Sequence, residues 1–134
     1  MACNCEGKIT GLAHIGIKVK DMEESIKFYT EVLGFELTSQ QQLGTSHLAF
    51  LNIGTCLLEL IQSAVYEERT AGQVDHIAVE VKGIEALVEK LKAQGVKFLS
   101  DNVNVAPTLL DGVKNIFFVG PNGERFEFFE YYNR

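Results

Sequence analysis

The sequence has no tryptophan, only three arginines and only three cysteines, and each scarcity narrows what the chain can be. Cys3, Cys5 and Cys56 are odd in number and two sit near the N-terminus, so no disulfide framework is expected. The Cys3-x-Cys5 pair has no second pair to complete a soft-metal site. No apolar run approaches the roughly 18 residues that cross a bilayer. The opening stretch "MACNCEGKIT" lacks a charged-then-apolar signal pattern, which predicts a cytoplasmic protein with no membrane partner. Positive charge is also short. A formal charge of −6 argues against nucleic acid as the partner, although it leaves room for a local basic pocket.

What is present suffices for one core. In 134 residues, 46% are hydrophobic and 22% charged, the balance of a single globular domain, and nine Phe and four Tyr supply the bulk that Trp does not. Two stretches stand out: "LAHIGIKV" from Leu12 and "VDHIAVEV" from Val74 each set one histidine in an alternating apolar run. They open two copies of a longer pattern. His14 aligns with His76, Ile15 with Ile77, Ile17 with Val79, Val19 with Val81, Lys20 with Lys82 and Glu23 with Glu85. After one deletion Gly34 falls on Gly95, and "CLLELIQ" from Cys56 falls on "ERFEFFE" from Glu124, aligning Glu59 with Glu127. Two copies of about sixty residues are too few and too large for a solenoid or propeller. The boundaries expected are a mobile tail at residues 1–8 and one domain at 9–132, with modules at about 9–65 and 74–132.

Each copy reads as strand, helix, then three strands. "HIGIKV" alternates with period two. Asp21 is placed as an N-cap with Glu24 three residues on, Met22, Ile26, Tyr29 and Leu33 follow at helical spacing, and Gly34 suits a C-terminal cap. In the second copy Ile84, Leu87, Val88 and Leu91 form the stripe and Gly95 ends it. Asp111-Gly112 and Pro121-Asn122-Gly123 are strong turn signals between the later strands. The fold class predicted is α+β: two paired βαβββ modules forming a cupped mixed sheet with helices on its outer face.

The repeat turns isolated residues into a constellation. His14 and His76 share one module position, and Glu59 and Glu127 share another. Pairing by a pseudo-twofold axis would bring two imidazoles and two carboxylates together. A carboxylate inside "LLELI" or "RFEFF" is costly to bury unless paired or bound to a cation. Two N and two O donors suit Zn, Ni, Co, Mn or Fe with positions left for water or substrate. Which face of its strand Glu59 takes stays open, because Leu57 and Ile61 share its side while Leu58 and Leu60 share the other.

The pattern "HIGIKVKDMEESIKFYTEVLGFEL" and the ending "VGPNGERFEFFE" resemble the start and finish of the vicinal oxygen chelate superfamily, over nearly all of residues 9–132. That superfamily includes glyoxalase I, methylmalonyl-CoA epimerase, extradiol dioxygenases and fosfomycin- and bleomycin-resistance proteins. The resemblance implies the glyoxalase/bleomycin resistance/dioxygenase fold, a homodimer, and one divalent metal per site (Ni, Co, Zn or Mn) on His14, Glu59, His76 and Glu127. A filled His/Glu/His/Glu set looks most like glyoxalase I. The implied reaction moves a proton next to a carbonyl through an enediolate, on a small-molecule substrate such as a thiol adduct of a 2-oxoaldehyde. Glu127 would serve as base, with Glu59 keeping its place or serving the opposite hand of substrate. The epimerase alternative acts on an acyl thioester, with His47 or Ser46 nearest to the expected base on "SHLAFL". A third alternative is a small-molecule-binding protein without chemistry, its cavity lined by Phe50, Phe117, Phe126 and Phe128. Substrate contacts are expected from His47, Phe50, Phe117 and Arg125, with Lys114 a second source of charge. The chain departs from glutathione-dependent relatives in lacking an Arg in "GFELTSQQQ" and an Asn in "ELIQSAV".

Overall fold

In the computed structural model, which describes residues 7, 10–68 and 72–133, each half of the chain folds as a strand, a helix and antiparallel strands. Cys3, Cys5, most of the expected tail at 1–8, Arg69 and Arg134 lie outside the described residues. The first half comprises β1 (His14–Lys18), α1 (Met22–Lys27) running on into a π-helical stretch (Phe28–Val32), β2 (Glu36–Leu43), β3 (Ser46–Asn52) and β4 (Leu57–Gln62). The second comprises β5 (Ile77–Glu80), α2 (Ile84–Ala93), β6 (Lys97–Phe98), β7 (Asn104–Ala106), a 3-10 turn (Leu109–Asp111), β8 (Val113–Val119) and β9 (Arg125–Tyr131).

The caps explain where the helices begin. Asp21 accepts a hydrogen bond from the Glu24 amide at 3.0 Å, as its N-cap position predicts. In the second half Gly83 takes that position at φ 70°, and the capping carboxylate comes from Glu130, which accepts from the Gly83 amide at 2.7 Å and from the Ile84 amide at 3.2 Å. The first helix does not stay α-helical to Gly34. The Thr30 hydroxyl donates to the Ile26 carbonyl at 2.7 Å, competing for an oxygen the helix would use. The turn then widens so that the Leu33 amide donates to the Phe28 carbonyl, five residues back.

The strands form two sheets, not the single cupped sheet that the repeat suggests. One has the order β1-β4-β3-β2 and the other β5-β9-β8-β6, with β7 beside β8. In both, the first strand runs parallel to the last. Consequently β1 and β5, the two histidine strands, are each an edge of their sheet. The sequence pattern does not reveal β7, three residues long and too short for a periodicity signal.

One core joins the modules. Leu51, Leu58 and Leu60 from the first sheet, Phe118, Phe126 and Phe128 from the second, and Tyr29, Ile84 and Leu91 from the helices belong to a single buried cluster. Tyr29 is fully buried, its ring stacked on Phe35 and tilted against Phe126 of the other module. Its hydroxyl donates to Glu124 at 2.7 Å. Asn122 completes the joint, donating to Ser25 Oγ at 3.0 Å and accepting from the Lys20 amide at 2.9 Å. The helix side of each sheet is thus sealed, and the other side is left open.

Burial first, and the neighbouring Glu124 second, push the Tyr29 phenol well above its ordinary value of 10.0. A raised folded-state value for a group that is neutral when protonated adds stability that is complete below about pH 10 and is lost as pH rises toward the folded value. Tyr29→Phe should cost about 1–2 kcal/mol at pH 7 through the lost hydrogen bond. Urea unfolding at pH 7, 9 and 10.5 should also show a shallower alkaline loss of stability in the variant than in the wild type. Parallel curves would mean that Tyr29 does not carry the coupling.

Candidate functional site

Register decides which side chains reach the open faces. In the first sheet Gly16 pairs with Glu59 and Phe50 pairs with Glu59 from the other side. Side chains alternate along a strand, so His14, Gly16, Glu59, Leu48 and Phe50 share one face, while Leu58, Leu60, Ala49 and Leu51 fill the core. The question left open by the sequence resolves: Glu59 is on the open face, at 15% side-chain exposure. The second sheet repeats the arrangement. Ala78 and Phe117 both pair with Glu127, which puts His76, Glu127 and Phe117 on its open face.

Two equivalent clusters result. His14 Nε2 lies 3.4 Å from Glu59 Oε1, and its ring meets Phe50 edge-on with centroids 6.3 Å apart. His76 Nε2 lies 3.1 Å from Glu127 Oε1, and its ring meets Phe117 edge-on at 5.0 Å. Each histidine is therefore held between a carboxylate and the edge of a phenyl ring.

The second cluster carries more support. Asp75 accepts from His76 Nδ1 at 2.9 Å, and Arg125 Nη1 approaches the same carboxylate at 3.3 Å. The hydrogen bond from His76, and then the charge of Arg125, hold the Asp75 carboxyl below the usual aspartate range. Behind Glu127, Asn115 Nδ2 donates to Oε2 at 2.7 Å, and Asn104 Nδ2 donates to Asn115 Oδ1 at 2.9 Å. Sequence reasoning missed Asp75, Asn104 and Asn115. Asn115 was visible as the one polar residue at an open-face position in "VKNIFFV", two before Phe117.

Several expected contacts belong elsewhere. His47 lies an odd number of residues from Phe50 and pairs with Gln62, whose side chain accepts from the Met22 amide at the start of α1. It is therefore on the helix side of the sheet, where its Nε2 meets Gln40 at 2.9 Å, and cannot serve a site on Glu59's face. Ser46 shares the open face by alternation. Phe126 and Phe128 are buried in the core and line no cavity. Lys114 is also on the helix side, paired with Glu85 at 2.5 Å. Arg125 does share Glu127's face, but its guanidinium is committed to Asp75.

The four ligand-type residues do not converge within one chain. Among the described residues no three His, Cys, Asp or Glu side chains gather closely enough to hold a metal. A cleft of about 370 Å³ separates the modules, lined by Gly16 and Lys18 of β1 and by Asp75, His76 and Arg125. It reaches His76 but neither Glu59 nor Glu127. The donor chemistry of each pair, one imidazole nitrogen beside one carboxylate oxygen, fits half of a coordination shell for a borderline divalent cation.

Comparison with known proteins agrees with this architecture. Residues 11–128 match the model of the Glyoxalase/Bleomycin resistance protein/Dioxygenase superfamily. The chain is 35% identical to the uncharacterized protein YwbC of Bacillus subtilis, over 87% of this chain and 94% of that one. It is 32% identical to a lactoylglutathione lyase of Neisseria meningitidis, covering 89% of each. It is 30% identical to human mitochondrial methylmalonyl-CoA epimerase over 70% of this chain, which spans 59% of that protein. A solved glyoxalase family protein from Enterococcus faecalis superposes with a TM-score of 0.77 at 26% identity, covering 90% of this chain and 98% of that one. With its two strand–helix–sheet modules and its match over most of its length, the chain belongs to the glyoxalase/bleomycin resistance protein/dioxygenase superfamily.

Proposed function

We propose that the protein is a divalent-metal-dependent isomerase or lyase of the glyoxalase I type, acting next to a carbonyl on a thiol adduct of a 2-oxoaldehyde. The observation that carries the reading is the pair of equivalent His–Glu–Phe clusters on open sheet faces. The similarity to lactoylglutathione lyase supports it. We further propose that a second copy of the chain completes each site, His14 and Glu59 of one copy meeting His76 and Glu127 of the other. Two features favour this. The hydrogen bond from buried Tyr29 to Glu124 ties the modules together in an arrangement in which, among the described residues, the pairs do not gather. Both histidine strands are also free sheet edges, available for edge-to-edge pairing.

A divalent cation (Ni, Co, Zn or Mn) held by the four residues would act as a Lewis acid on the substrate's carbonyl oxygen. The chain's own part is the proton. Glu127 or Glu59 takes it from one carbon and returns it to the neighbouring one. Phe50 and Phe117 wall the reacting carbons and exclude water. Similarity to methylmalonyl-CoA epimerase favours one alternative, the same proton transfer on an acyl thioester. With His47 on the wrong face, that alternative relies on the same two glutamates. A purely binding role loses half of its apolar lining, because Phe126 and Phe128 are core residues.

Tag-free protein should carry close to one divalent metal per chain, and His14→Ala and His76→Ala should each lose most of it. If sites are shared between copies, refolding an equal mixture of these two variants restores one intact site in each mixed dimer, about a quarter of the wild-type sites for random pairing in a twofold dimer. Elemental analysis and turnover of the mixture measure this directly. No recovery would place each site within one chain, and metal-free wild type with full ligand affinity would leave only the binding role.

Glu127→Gln and Glu59→Gln keep side-chain shape but remove the base. At least one should lower turnover by 10²–10⁴, the range of general-base contributions, while retaining metal. His47→Ala should change turnover by less than about twofold, as expected of a residue on the opposite face. A large loss in His47→Ala alone would return the base to β3.

Glutathione's two carboxylates call for bidentate arginine, and Arg125, the arginine within the described residues, is already paired with Asp75. Weak turnover of the glutathione hemithioacetal of methylglyoxal is therefore expected. A panel of hemithioacetals from other thiols and of 2-methyl-branched acyl thioesters, assayed with Ni, Co, Zn and Mn, should contain the better substrate. Efficient glutathione-specific turnover would refute that ranking while keeping the reaction class.

A further inference from the structure

The two clusters are equivalent in position but not in support, and the difference is written at matched register sites. Phe50 and Phe117 lie opposite Glu59 and Glu127. Two residues earlier on each strand stand Leu48 and Asn115. The first offers Glu59 no donor, whereas the second donates to Glu127 Oε2 at 2.7 Å. A carboxylate can only accept, so the Asn115 amide must turn its nitrogen to Glu127 and its oxygen away. Asn104 meets that oxygen at 2.9 Å across the β7–β8 pairing, which locks the amide in this sense. Glu127 Oε2 is thereby tied down while Oε1 faces His76 at 3.1 Å. Among the described residues the strand that carries Asn104 has no counterpart in the first sheet, which holds four strands.

Resting on the metal-site reading above, we propose that Asn115, locked by Asn104, is a positioning residue for Glu127. With one oxygen fixed, Glu127 would be the anchoring carboxylate of the pair, and Glu59 would be the one left to move the proton. The physical basis is rotational. A glutamate with one oxygen fixed by an amide presents the other along a single direction, whereas among the described residues His14 is the polar side chain beside Glu59 and no amide fixes its second oxygen. Outer hydrogen-bond partners of ligating groups commonly govern affinity by 10–100-fold. Division of labour between the two glutamates follows from β7, not from the glutamates themselves.

Cobalt(II) titration of the full-length protein, followed by calorimetry and by the visible d–d bands, tests this without any substrate. Asn115→Leu, which installs what the first module carries, should weaken cobalt binding by about 10–100-fold and alter the d–d bands. Asn104→Ala should change both in the same direction by less. Glu127→Gln should lose more cobalt affinity than Glu59→Gln. Thermal melts run alongside separate positioning from folding, because a merely structural amide would lower the melting temperature and leave affinity and spectrum unchanged. That result, or equal losses in the two glutamate variants, overturns the proposal. Should Asn115→Leu fail to fold, Asn104→Ala and the glutamate pair decide it. Wild-type protein that binds no cobalt overturns the metal site as well, and is distinguished by failing before any variant is compared.

Discussion

Everything at the site depends on the parallel pairing of each module's first strand with its last. Parallel partners point their side chains the same way, so the pairing of Gly16 with Glu59 and of Ala78 with Glu127 puts each histidine, two residues earlier, on its glutamate's face. A slip of one residue would drive either the imidazole or the carboxylate into the core. The residue directly beside the glutamate must also be small. A Cβ on Gly16 would lie 3.4 Å from Glu59 Oε1 and 3.3 Å from Ile61 Cδ1, at the limit of what the neighbours accept. Alanine at position 78 shows that the second module has room for that one carbon and no demand for more.

The same pairing determines what the chain can do alone. Because the histidine strand pairs with the glutamate strand on one side only, its other edge is left over in both modules. The helices then seal the opposite faces, and buried Tyr29 and Ser25 of the first helix join a hydrogen-bonded chain with the half-buried Glu124 and Asn122 of the β8–β9 turn. A joint of this kind resists rearrangement, since separating any one partner leaves a buried group unsatisfied. The stable core and the separation of the two His–Glu pairs are therefore two results of one arrangement.

Much of this was legible in the sequence because duplication makes position informative. Neither His14 nor Glu59 distinguishes itself from an ordinary strand residue, but recurrence at His76 and Glu127 does. The strands other than β7 and the start of the first helix followed from alternation, the Asp21 cap and the turn dipeptides, and the second helix from its apolar stripe. The faces did not follow, because apolar residues flank Glu59 on both parities and His47 stands in a strand, "SHLAFLN", with apolar residues on both parities. Only the register with Gln62 and Glu59 separates them. Likewise no local pattern distinguishes one continuous sheet from two, since edge pairing leaves no trace in the composition of β1 or β5. The π-helical widening hinged on a single hydroxyl at Thr30, and β7 was too short to announce itself.

Duplication also explains why the modules can differ where it matters. Once a fold supplies the same His–Glu–Phe cluster twice, the contacts behind each cluster are free to diverge without disturbing the register that creates it. Ala13 and Leu48 stand where Asp75 and Asn115 stand in the second module, and the first pair provides no polar support. Asp75 links His76 to Arg125, and Asn115 links Glu127 to Asn104, so that both second-module side chains are oriented from behind. In the proposed site, one such pair and one freer pair would combine a fixed reference with a movable group, the two things that proton transfer beside a carbonyl would ask of its carboxylates.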